Sequence, residues 1–371
     1  MSRKTILLNG PALDSKSASY GGGKGGAARS MSLYLDGFRS EEFDLQPCFY
    51  SVRQKGAGPF SFVARLFGDV REVFRKGRSA AGMHIIAQYR TAIYREFSIV
   101  LTCQVLRLPF LYHIKAGIFI EWLNSSRSWE RTMALFILRR AKVVLCEGEV
   151  YVDYLNSNFD LDSHYFPNFV LDEEVPLEVA PKLANEAVRV LFVGYCYEGK
   201  GVFELIDGCE LAARNGVSVE LTLVGQEHED FTQFLDARLA GGLSFSIARP
   251  GPLGHGEVLA HYRSHDVFCM PTRHQGEGHT NTVNEAMMMG MVIVATRHGF
   301  LESVLAENSA FLLDELTPPE IAKNLRFIHE NRDEARRRAT AARARLMSSF
   351  TSEAAFSNLA AYYAVLTQAS H

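Results

Sequence analysis

Short runs of apolar and β-branched residues alternate with longer amphipathic segments along the whole chain. Such runs are typical of parallel strands that are buried on both faces, and the segments between them carry apolar residues at helical spacing. The alternation therefore predicts an α/β protein whose parallel sheets are covered by helices on both faces. The predicted strands are "TILLNG", "MHIIAQ", "FLYHI", "KVVLCEG", "VRVLFVG", "VELTLVG", "DVFCMPT" and "MVIVAT".

The chain of 371 residues is long enough to bury two separate cores. Prolines and charged residues interrupt the pattern between Pro167 and Pro181, before a fresh strand begins at Val188. We therefore expect two Rossmann-like domains that face a central cleft, residues 1–170 and residues 171–350.

The last residues, 351–371, carry apolar side chains at helical spacing. We expect them to form a helix that packs back on the N-terminal domain. The apolar positions of this helix are Phe356, Leu359, Tyr363 and Leu366.

The composition is that of a globular protein, with 47% hydrophobic and 22% charged residues. No apolar run reaches the roughly 18 residues that a membrane-spanning helix needs, and the first residues resemble a strand more than a signal peptide. The six cysteines form no CxxC pair, which favours buried thiols in a reducing compartment. We therefore expect a cytoplasmic location.

Positive charge is concentrated in the first part of the chain, where residues 1–146 contain 22 Lys and Arg but only 10 Asp and Glu. A field of this sign attracts nucleic acid, an anionic membrane surface or a phosphorylated substrate. The stretch "FVARLFGDVREVFRKGRS" places Phe62, Leu66, Val70 and Phe74 at helical spacing beside basic residues. Such a helix either faces its own core or lies on a membrane. The run "NRDEARRRATAARAR" lacks interleaved aromatic residues, so we expect no nucleic-acid partner.

The stretch "RHQGEGHTNTVNEAMMMGMVIVAT" combines a polar loop, a short helix and a strand. In an open α/β sheet, this loop lies at the carboxyl end of a strand, where ligands bind. Gly276 and Gly278 let the backbone approach a ligand closely, and the helix start near Thr282 favours a phosphate. The carboxylate of Glu277 can accept hydrogen bonds from sugar hydroxyls, and Glu285 can accept them from a ribose.

The segment "TVNE", Thr282 to Glu285, also fits a capping box, in which Glu285 only returns a hydrogen bond to the helix start. That alternative leaves Glu277 and the paired glycines unexplained. Both interpretations of Glu285 remain open at the level of the sequence.

The run "EGHTNTVNEAMMMGMVIVAT" resembles the Glu-x7-Glu signature of the retaining glycosyltransferases of family four. Other motifs of that family have counterparts here in the same order, and the resemblance extends over most of the chain. It implies a GT-B fold, in which the second domain holds a nucleotide sugar and the first holds the acceptor. The further counterparts are "GGGKGGAARSMSLYL", "YFPNFV", "VRVLFVGYCYEGKGVFELI" and "GPLGHGEVLAHYRSHDVFCMPT".

The resemblance also implies roles for individual residues. Glu277 would hold hydroxyls of the donor sugar, Glu285 the ribose and Lys200 the diphosphate. A fixed ammonium and backbone amides stabilise the charge that develops on a departing diphosphate. The implied amides belong to Gly278, His279, Thr280, Asn281 and Thr282.

Two further sites in the first half match positions of the family. Gly25 and Gly26 lie in "GGGKGGAARS", which is suited to binding a phosphate or is simply a flexible loop. His113 ends the predicted strand "FLYHI" and matches a histidine that lies near the sugar and the acceptor. A structural histidine is the alternative.

One position departs from the family pattern, because Tyr195 stands where an arginine is common five residues before Lys200. Either Arg273 or Arg297 supplies the missing charge, or diphosphate binding is weaker than usual.

Metal ligation has little support in the sequence. The segment "DLD", Asp160 to Asp162, does not end a strand, and a solvated turn is the better interpretation. His255, His261 and His265 lie in a helical stretch without a fitting carboxylate partner.

We therefore predict a retaining glycosyltransferase that needs neither a metal nor a cofactor. It would transfer a sugar from a nucleoside-diphosphate sugar to a glycan or lipid-linked acceptor, with Glu277, His113 and Lys200 as catalytic residues. The expected setting is polysaccharide or glycolipid biosynthesis, with peripheral contact at the inner face of the membrane. A nucleotide-sugar epimerase on the same fold and a non-catalytic nucleotide-sugar-binding protein are the alternatives.

Overall fold

The computed structural model describes residues 3–11, 25–50, 59–88, 90–305 and 308–368. These residues form two compact units, each built on a six-stranded parallel sheet. The expected α/β class with Rossmann-like domains is confirmed. The first unit draws its described residues from Met1–Leu13, Gly26–Asn168 and Ser352–His371, and the second from Asp14–Gly25 and Phe169–Thr351.

The first sheet consists of β1 (Lys4–Pro11), β2 (Phe43–Tyr50), β3 (Gly82–Ala87), β4 (Phe110–Ile114), β5 (Val143–Cys146) and β6 (Ser163–Tyr165). Between these strands and after them lie α1 (Gly25–Gly37), α2 (Pro59–Gly77), α3 (Ala92–Leu106), α4 (Phe119–Ser125), α5 (Ser128–Arg140) and α6 (Glu149–Phe159). The order across the sheet is β2-β1-β3-β4-β5-β6, so the topological switch point lies between β1 and β3.

The second sheet consists of β7 (Val188–Val193), β8 (Val219–Val224), β9 (Ser246–Gly251), β10 (Val267–Met270), β11 (Val292–Thr296) and β12 (Phe311–Leu313). Its helices are α7 (Val202–Arg214), α8 (Glu229–Ala240), α9 (His255–Ser264), α10 (Asn281–Met288), α11 (Leu301–Val304), α12 (Pro318–Glu330) and α13 (Arg332–Ser349). The order is β12-β11-β10-β7-β8-β9, so this switch point lies between β7 and β10. Short 3-10 turns cover Asp172–Glu174 and Glu198–Lys200.

All the strands predicted from apolar runs are present, and each lies in the interior of its sheet. The strands that the pattern missed are β2, β6, β9 and β12, which are the edges of the two sheets. An edge strand can leave polar residues in water, and most of β9 is indeed exposed. β6 and β12 are only three residues long. Such strands carry no continuous apolar signal.

The C-terminal segment forms α14 (Ser352–Thr367), which packs on the first sheet through β3 and β5. Leu359, Tyr363 and Leu366 are fully buried. The hydroxyl of Tyr363 lies 2.8 Å from Nδ1 of His84, which belongs to β3. Helical spacing alone thus identified the residues that attach this helix.

The arginine-rich run forms α13, and several of its guanidinium groups hold the segment that precedes β7. Arg332 and Arg336 donate hydrogen bonds to the carbonyl oxygen of Leu183 at 2.9 and 3.0 Å. Arg343 donates to the carbonyl oxygen of Pro176 at 2.5 Å. These arginines therefore donate hydrogen bonds to backbone carbonyl groups of their own unit.

The helix α2 buries a different stripe from the predicted one. Val73 is fully buried, whereas Phe62 and Phe74 are 39% and 37% exposed and Phe67 is 72% exposed. Its buried stripe also includes Asp69, so the aromatic residues flank this stripe instead of forming it. Across the described residues, none of the helices combines the length and the apolar character needed to span a bilayer.

Candidate functional site

Two loops of the second unit meet at the carboxyl ends of β7 and β10, which flank the switch point of the sheet. The first loop contains the turn Glu198–Lys200 and then Gly201, whose φ is +68°. The second loop, residues 271–280, follows β10. A Cβ atom at Gly201 would lie 1.9 Å from the carbonyl oxygen of Pro271 in this loop. Because only glycine tolerates both this φ and this approach, Gly201 fixes the distance between the two loops.

Lys200 and Glu277 form an ion pair between these loops. The Nζ atom of Lys200 lies 2.5 Å from Oε2 of Glu277, and the two side chains are 15% and 8% exposed. The hydroxyl of Thr272 donates a hydrogen bond to the same carboxylate oxygen at 2.7 Å. The structure thus brings together two of the site residues that the sequence predicted, and it adds Thr272.

His274 makes hydrogen bonds within the second loop and to residues that lie beside it. Its N–H donates to the hydroxyl oxygen of Thr272 at 3.1 Å, and its carbonyl oxygen accepts from the N–H of Glu277 at 2.9 Å and from Nε2 of His298 at 2.8 Å. Its ring Nδ1 lies 2.6 Å from the hydroxyl of Tyr197. Burial, together with the nearby lysine, lowers the pKa of His274, which favours the neutral ring.

Thr272, His274 and Tyr197 were not singled out from the sequence. Each lies within five residues of Lys200 or Glu277, so a survey of the polar neighbours of the motif would have found them. Their side chains and backbone groups position the ion pair.

The helix α10 begins at Asn281, and Thr280 is its N-cap residue. The hydroxyl oxygen of Thr280 accepts a hydrogen bond from the N–H of Val283 at 3.4 Å. The alternative capping box from Thr282 to Glu285 was therefore wrong, because Thr282 already lies inside the helix. The first turn of a helix leaves N–H groups without intrahelical partners, and these groups favour anions. The half-buried residues at this helix start are Gly278, Thr280, Asn281 and Thr282.

His279 and Glu285 are both buried, at 2% exposure each. Nε2 of His279 donates to Oδ1 of Asn284 at 2.8 Å, and its ring packs edge-on against Phe350. Oε1 of Glu285 lies 4.0 Å from Nδ1 of His255. Burial raises the pKa of Glu285 well above its ordinary value. A protonated carboxyl group both donates and accepts hydrogen bonds, so it remains able to bind a hydroxyl.

Tyr195 contributes an aromatic ring where the resembled family has a cation. The centroid of its ring lies 5.4 Å from that of Tyr197 and 6.2 Å from that of His228. Arg273 and Arg297 each pair with two carboxylates. Neither guanidinium therefore offers an uncompensated positive charge in place of the missing arginine.

His113 lies in β4 and is fully buried. Its ring stacks on His84, with centroids 5.4 Å apart, and meets Phe166 edge-on at 5.2 Å. The hydroxyl of Tyr34 lies 3.5 Å from its Nδ1. Burial lowers the pKa of His113 well below its ordinary value, so the ring is held neutral. These contacts are typical of a structural histidine, and a catalytic role stays a prediction.

The glycine-rich stretch of the first half is only partly described. Gly25 and Gly26 are the first residues of α1. Gly21, Gly22 and Gly23 lie outside the described residues. Donor binding by Gly25 and Gly26 stays a prediction.

The six cysteines are buried free thiols. Burial raises the pKa of each of them, which disfavours the reactive thiolate. Within the described ranges, no group of three or more His, Cys, Asp or Glu side chains is placed to hold a metal ion. Metal independence of the reaction stays a prediction.

The switch point of the second sheet therefore offers an ammonium, a carboxylate and a helix N-terminus to one ligand. An ammonium and unpaired amides suit a phosphate, and a carboxylate suits hydroxyl groups. A phosphate at Lys200 would compete with Glu277 for the ammonium and free the carboxylate for other hydrogen bonds. The chemistry fits a ligand that carries both phosphate and hydroxyl groups.

Residues 187–331 match the model of the family described as glycosyl transferases group 1. This range contains Lys200, Glu277 and Glu285. The amylovoran biosynthesis glycosyltransferase AmsK of Erwinia amylovora is 24% identical over 182 residues, which cover 47% of this chain and 44% of that protein. The match thus spans less than half the length of this curated relative.

Solved structures resemble the chain over nearly its whole length. Sucrose-phosphate synthase from Thermosynechococcus elongatus has a TM-score of 0.73 at 16% identity, and 98% of this chain and 99% of that chain are covered. Anabaena HepE in complex with UDP-glucose has a TM-score of 0.69 at 14% identity, with 97% and 99% covered. These similarities confirm the GT-B fold. At such low identity they concern the fold alone.

Proposed function

We propose that the chain is a retaining glycosyltransferase that moves a sugar from a nucleoside-diphosphate sugar to a hydroxyl group of an acceptor. The observation that carries the proposal is the placement of Lys200, Glu277 and the N-terminus of α10 at one topological switch point. The glycosyl transferases group 1 match over residues 187–331 supports it, because the same residues lie in that range.

In this assignment, the donor replaces contacts that the free protein makes internally. The diphosphate accepts hydrogen bonds from the ammonium of Lys200 and from the backbone amides of residues 278–282. Glu277 then accepts hydrogen bonds from hydroxyls of the donor sugar. Glu285 binds the ribose from the next turn of α10. Gly25 and Gly26, at the start of α1, would add backbone contacts to the donor.

The chemical step breaks the bond between the anomeric carbon and the phosphate oxygen. The ammonium and the amides stabilise the charge that develops on the departing diphosphate. The oxygen of the acceptor hydroxyl forms a bond to the anomeric carbon on the same face of the sugar, and its proton passes to the departing phosphate oxygen, so the configuration is retained and no protein nucleophile is needed. The proposed reaction requires neither a metal nor a cofactor, and we assign His113 a catalytic role as a neutral ring.

Donor binding tests the proposal first. UDP-glucose is the first probe, since Anabaena HepE was solved in complex with it, and other UDP- and GDP-sugars follow. Selective binding should raise the melting temperature of the full chain. Lys200→Met and Glu277→Gln should each weaken this binding by about tenfold or more.

The matched control for these variants is Lys323→Met, which removes a lysine of α12 that is 76% exposed. It should leave binding unchanged. The proposal is wrong if no sugar nucleotide stabilises the chain, or if both site variants bind as tightly as the native protein.

Product analysis separates the proposal from its alternatives. Incubation with the donor alone should give no isomer of the sugar, whereas an epimerase would produce one. With an acceptor present, NMR of the product should show the anomeric configuration of the donor. A protein that binds the donor without ever turning it over would be the non-catalytic alternative.

The acceptor that we propose is a saccharide or a lipid-linked saccharide. The name of AmsK refers to amylovoran biosynthesis, which supports a polysaccharide pathway for this chain as well. The proposed place of action is the cytoplasmic side of the membrane.

The helix α2 supports peripheral contact with that membrane. Phe67 and Val63 are 72% and 49% exposed, and basic residues lie on the same helix. Exposed aromatic and basic residues together favour an anionic bilayer surface. Sedimentation with phosphatidylglycerol vesicles should therefore decrease in Phe67→Ser, but not in Val150→Ser, which removes an exposed residue of α6. Equal sedimentation of both variants would contradict the contact.

A further inference from the structure

The ring of His274 lies where the loops after β7 and β10 meet. The N–H of Arg273 donates a hydrogen bond to the carbonyl oxygen of Gly199 at 2.9 Å. His274 and Lys200 are the next residues in these loops, so they come from adjacent points of the contact. Nδ1 of His274 lies 2.6 Å from the hydroxyl of Tyr197, and the two rings meet edge-on with their centroids 6.0 Å apart. The imidazole therefore shares the loop contact with the ammonium of Lys200.

Both charges of the ion pair between Lys200 and Glu277 act on this ring. Burial and then the charge of Lys200 lower the pKa of His274, and the charge of Glu277 opposes that shift. His298 lowers the pKa further. The ring is therefore neutral in the free protein at neutral pH, and it lies within electrostatic reach of the proposed position of the diphosphate at Lys200.

The surroundings of His274 accommodate either charge state of the ring. A phenol can donate a hydrogen bond to a neutral imidazole or accept one from an imidazolium, so the contact with Tyr197 is kept when the ring is protonated. The backbone N–H and carbonyl oxygen of His274 make the hydrogen bonds that shape the loop, and these bonds do not involve its ring. The residue is exposed, so solvent can supply a proton.

A diphosphate brings more negative charge than Lys200 compensates. Each of the two phosphates carries a negative charge, whereas the ammonium supplies a single positive one. Tyr195 occupies the position where an arginine is common in the resembled family. Arg273 and Arg297 are each paired with two carboxylates. A histidine at the contact between the loops can supply a further charge, because its ordinary pKa lies near neutral pH.

We propose that His274 takes up a proton from solvent when the diphosphate of the donor binds, and that the imidazolium replaces the arginine of the resembled family. Nε2 of the protonated ring donates a hydrogen bond to a phosphate oxygen, while Nδ1 donates to the hydroxyl of Tyr197. This inference rests on the proposed function, because it concerns the donor of that reaction. It makes donor binding dependent on pH.

Binding of the diphosphate raises the pKa of His274 for two reasons. The ligand compensates the charge of Lys200, which adds to the effect of burial in the free protein, and it places negative charge beside the ring. A group whose pKa is higher in the complex than in the free protein takes up protons on binding. Its contribution to affinity is complete below the pKa of the free protein and is lost as the pH rises through the pKa of the complex.

Calorimetric titration of the full chain with UDP-glucose and GDP-mannose tests the inference. The phosphates of these donors lack the second ionisation that a terminal phosphate has at about pH 6, so the ligand itself contributes no proton change. Titrations at about pH 7, in buffers of different ionisation enthalpy, should show a net uptake of protons with at least one donor. The affinity for that donor should be about threefold or more higher at about pH 6 than at about pH 8.

Variants assign this proton to its residue. His274→Asn should abolish the proton uptake and flatten the pH dependence of the affinity. His274→Arg carries a permanent charge, so it should also take up no proton, but it should bind the donor at about pH 8 more tightly than the native chain does. Should His274→Asn fail to fold, Tyr197→Phe takes its place. This variant removes the acceptor of the imidazolium and should decrease the proton uptake.

The control is His261→Asn, which removes a histidine from the last turn of α9. This turn directly precedes β10 and therefore lies at the opposite edge of the sheet from the candidate site. The variant should leave both the proton uptake and the affinity unchanged.

The inference is overturned if a donor binds without proton uptake, if the uptake persists in His274→Asn, or if His274→Arg binds at about pH 8 no more tightly than His274→Asn. These outcomes leave the proposed function standing, because the donor still binds. If no sugar nucleotide binds, the proposed function fails, and inorganic pyrophosphate tests the histidine alone. A larger proton uptake by the native chain than by His274→Asn would then support the inference, and equal uptake would overturn it.

Discussion

Nζ of Lys200 lies 2.5 Å from Oε2 of Glu277, although 77 residues separate them in the chain. The two residues follow β7 and β10, which are hydrogen-bonded neighbours in the sheet. Sheet topology, rather than local sequence, therefore creates this pair. Because both side chains are mostly buried, solvent screens the pair less than it screens a surface ion pair.

This pair should be energetically coupled in the free protein. Lys200→Met leaves a buried carboxylate with the Thr272 hydroxyl as its remaining side-chain donor in the structure, so we expect it to cost about 1–3 kcal/mol of unfolding free energy. The double variant Lys200→Met/Glu277→Gln should lose less than the sum of the two single variants. Urea unfolding measures all three values.

The control for this double-mutant cycle is the pair Arg326 and Glu330, whose side chains are 62% and 51% exposed. Replacing Arg326 by Met should leave the stability unchanged within the error of urea unfolding. Strict additivity at Lys200 and Glu277 would show that their contact carries no coupling in solution.

Gly201→Ala should be much more damaging than another substitution at a positive φ. Gly201 and Gly216 have φ values of +68° and +86°, but an added Cβ meets the carbonyl oxygen of Pro271 only at Gly201. Gly216→Ala should cost about 1 kcal/mol of unfolding free energy, from backbone strain alone. Gly201→Ala should cost roughly 2 kcal/mol or more and should also weaken donor binding, since the two loops must separate. Equal losses in the two variants would refute the close approach of the loops.

Glu285→Gln should change how stability depends on pH. Burial raises the pKa of Glu285, so the folded state retains a proton that the unfolded state releases. The stabilising effect is complete below the ordinary pKa of glutamate and is lost as the pH rises through the raised pKa. The variant should therefore gain stability relative to the native chain as the pH rises above the ordinary pKa of glutamate.

Unfolding free energies at several pH values test this prediction. Glu302→Gln serves as the control, because the side chain of Glu302 is 57% exposed. A parallel pH dependence of the native chain and Glu285→Gln would mean that Glu285 titrates normally. Separately, weaker UDP-glucose binding by Glu285→Gln would support the ribose contact.

Tyr195→Arg should tighten the binding of UDP. Tyr195 is half-buried beside Tyr197, and neither Arg273 nor Arg297 has an uncompensated charge. A guanidinium at this position would add a charge-assisted contact to the diphosphate, which is worth roughly tenfold in affinity. Calorimetric titration with UDP measures the gain, and Tyr195→Gln controls for loss of the ring. An unchanged affinity would place the diphosphate away from residue 195.

The interior of both sheets was predictable from the sequence, and the edges were not. Strands such as β3 and β4 are buried at every position and therefore appear as apolar runs. β9 contains Arg249 and Pro250 and pairs only with β8, so its sequence lacks that signal. The helix α14 was predictable because its buried residues recur at helical spacing.

The candidate site was predictable where a motif concentrates it in one loop. Glu277 and the start of α10 lie within one stretch of sequence, whereas the pairing with Lys200 depends on the three-dimensional neighbourhood of β7 and β10. The cluster of Lys115, Glu147 and Asn168 was not predicted at all, because its members come from three strand ends between residues 115 and 168. A short sequence motif cannot reveal residues that only the fold brings together.

The return of α14 to the first sheet makes that unit discontinuous in sequence, and the stretch Phe169–Thr351 of the second unit lies between its parts. A chimaera that exchanges donor specificity with a relative should therefore be spliced at two joints, after Asn168 and before Ser352. A single joint would replace Tyr363 and Leu366 with foreign residues against β3. The chimaera would then combine its new donor specificity with a poorly packed core in the first unit.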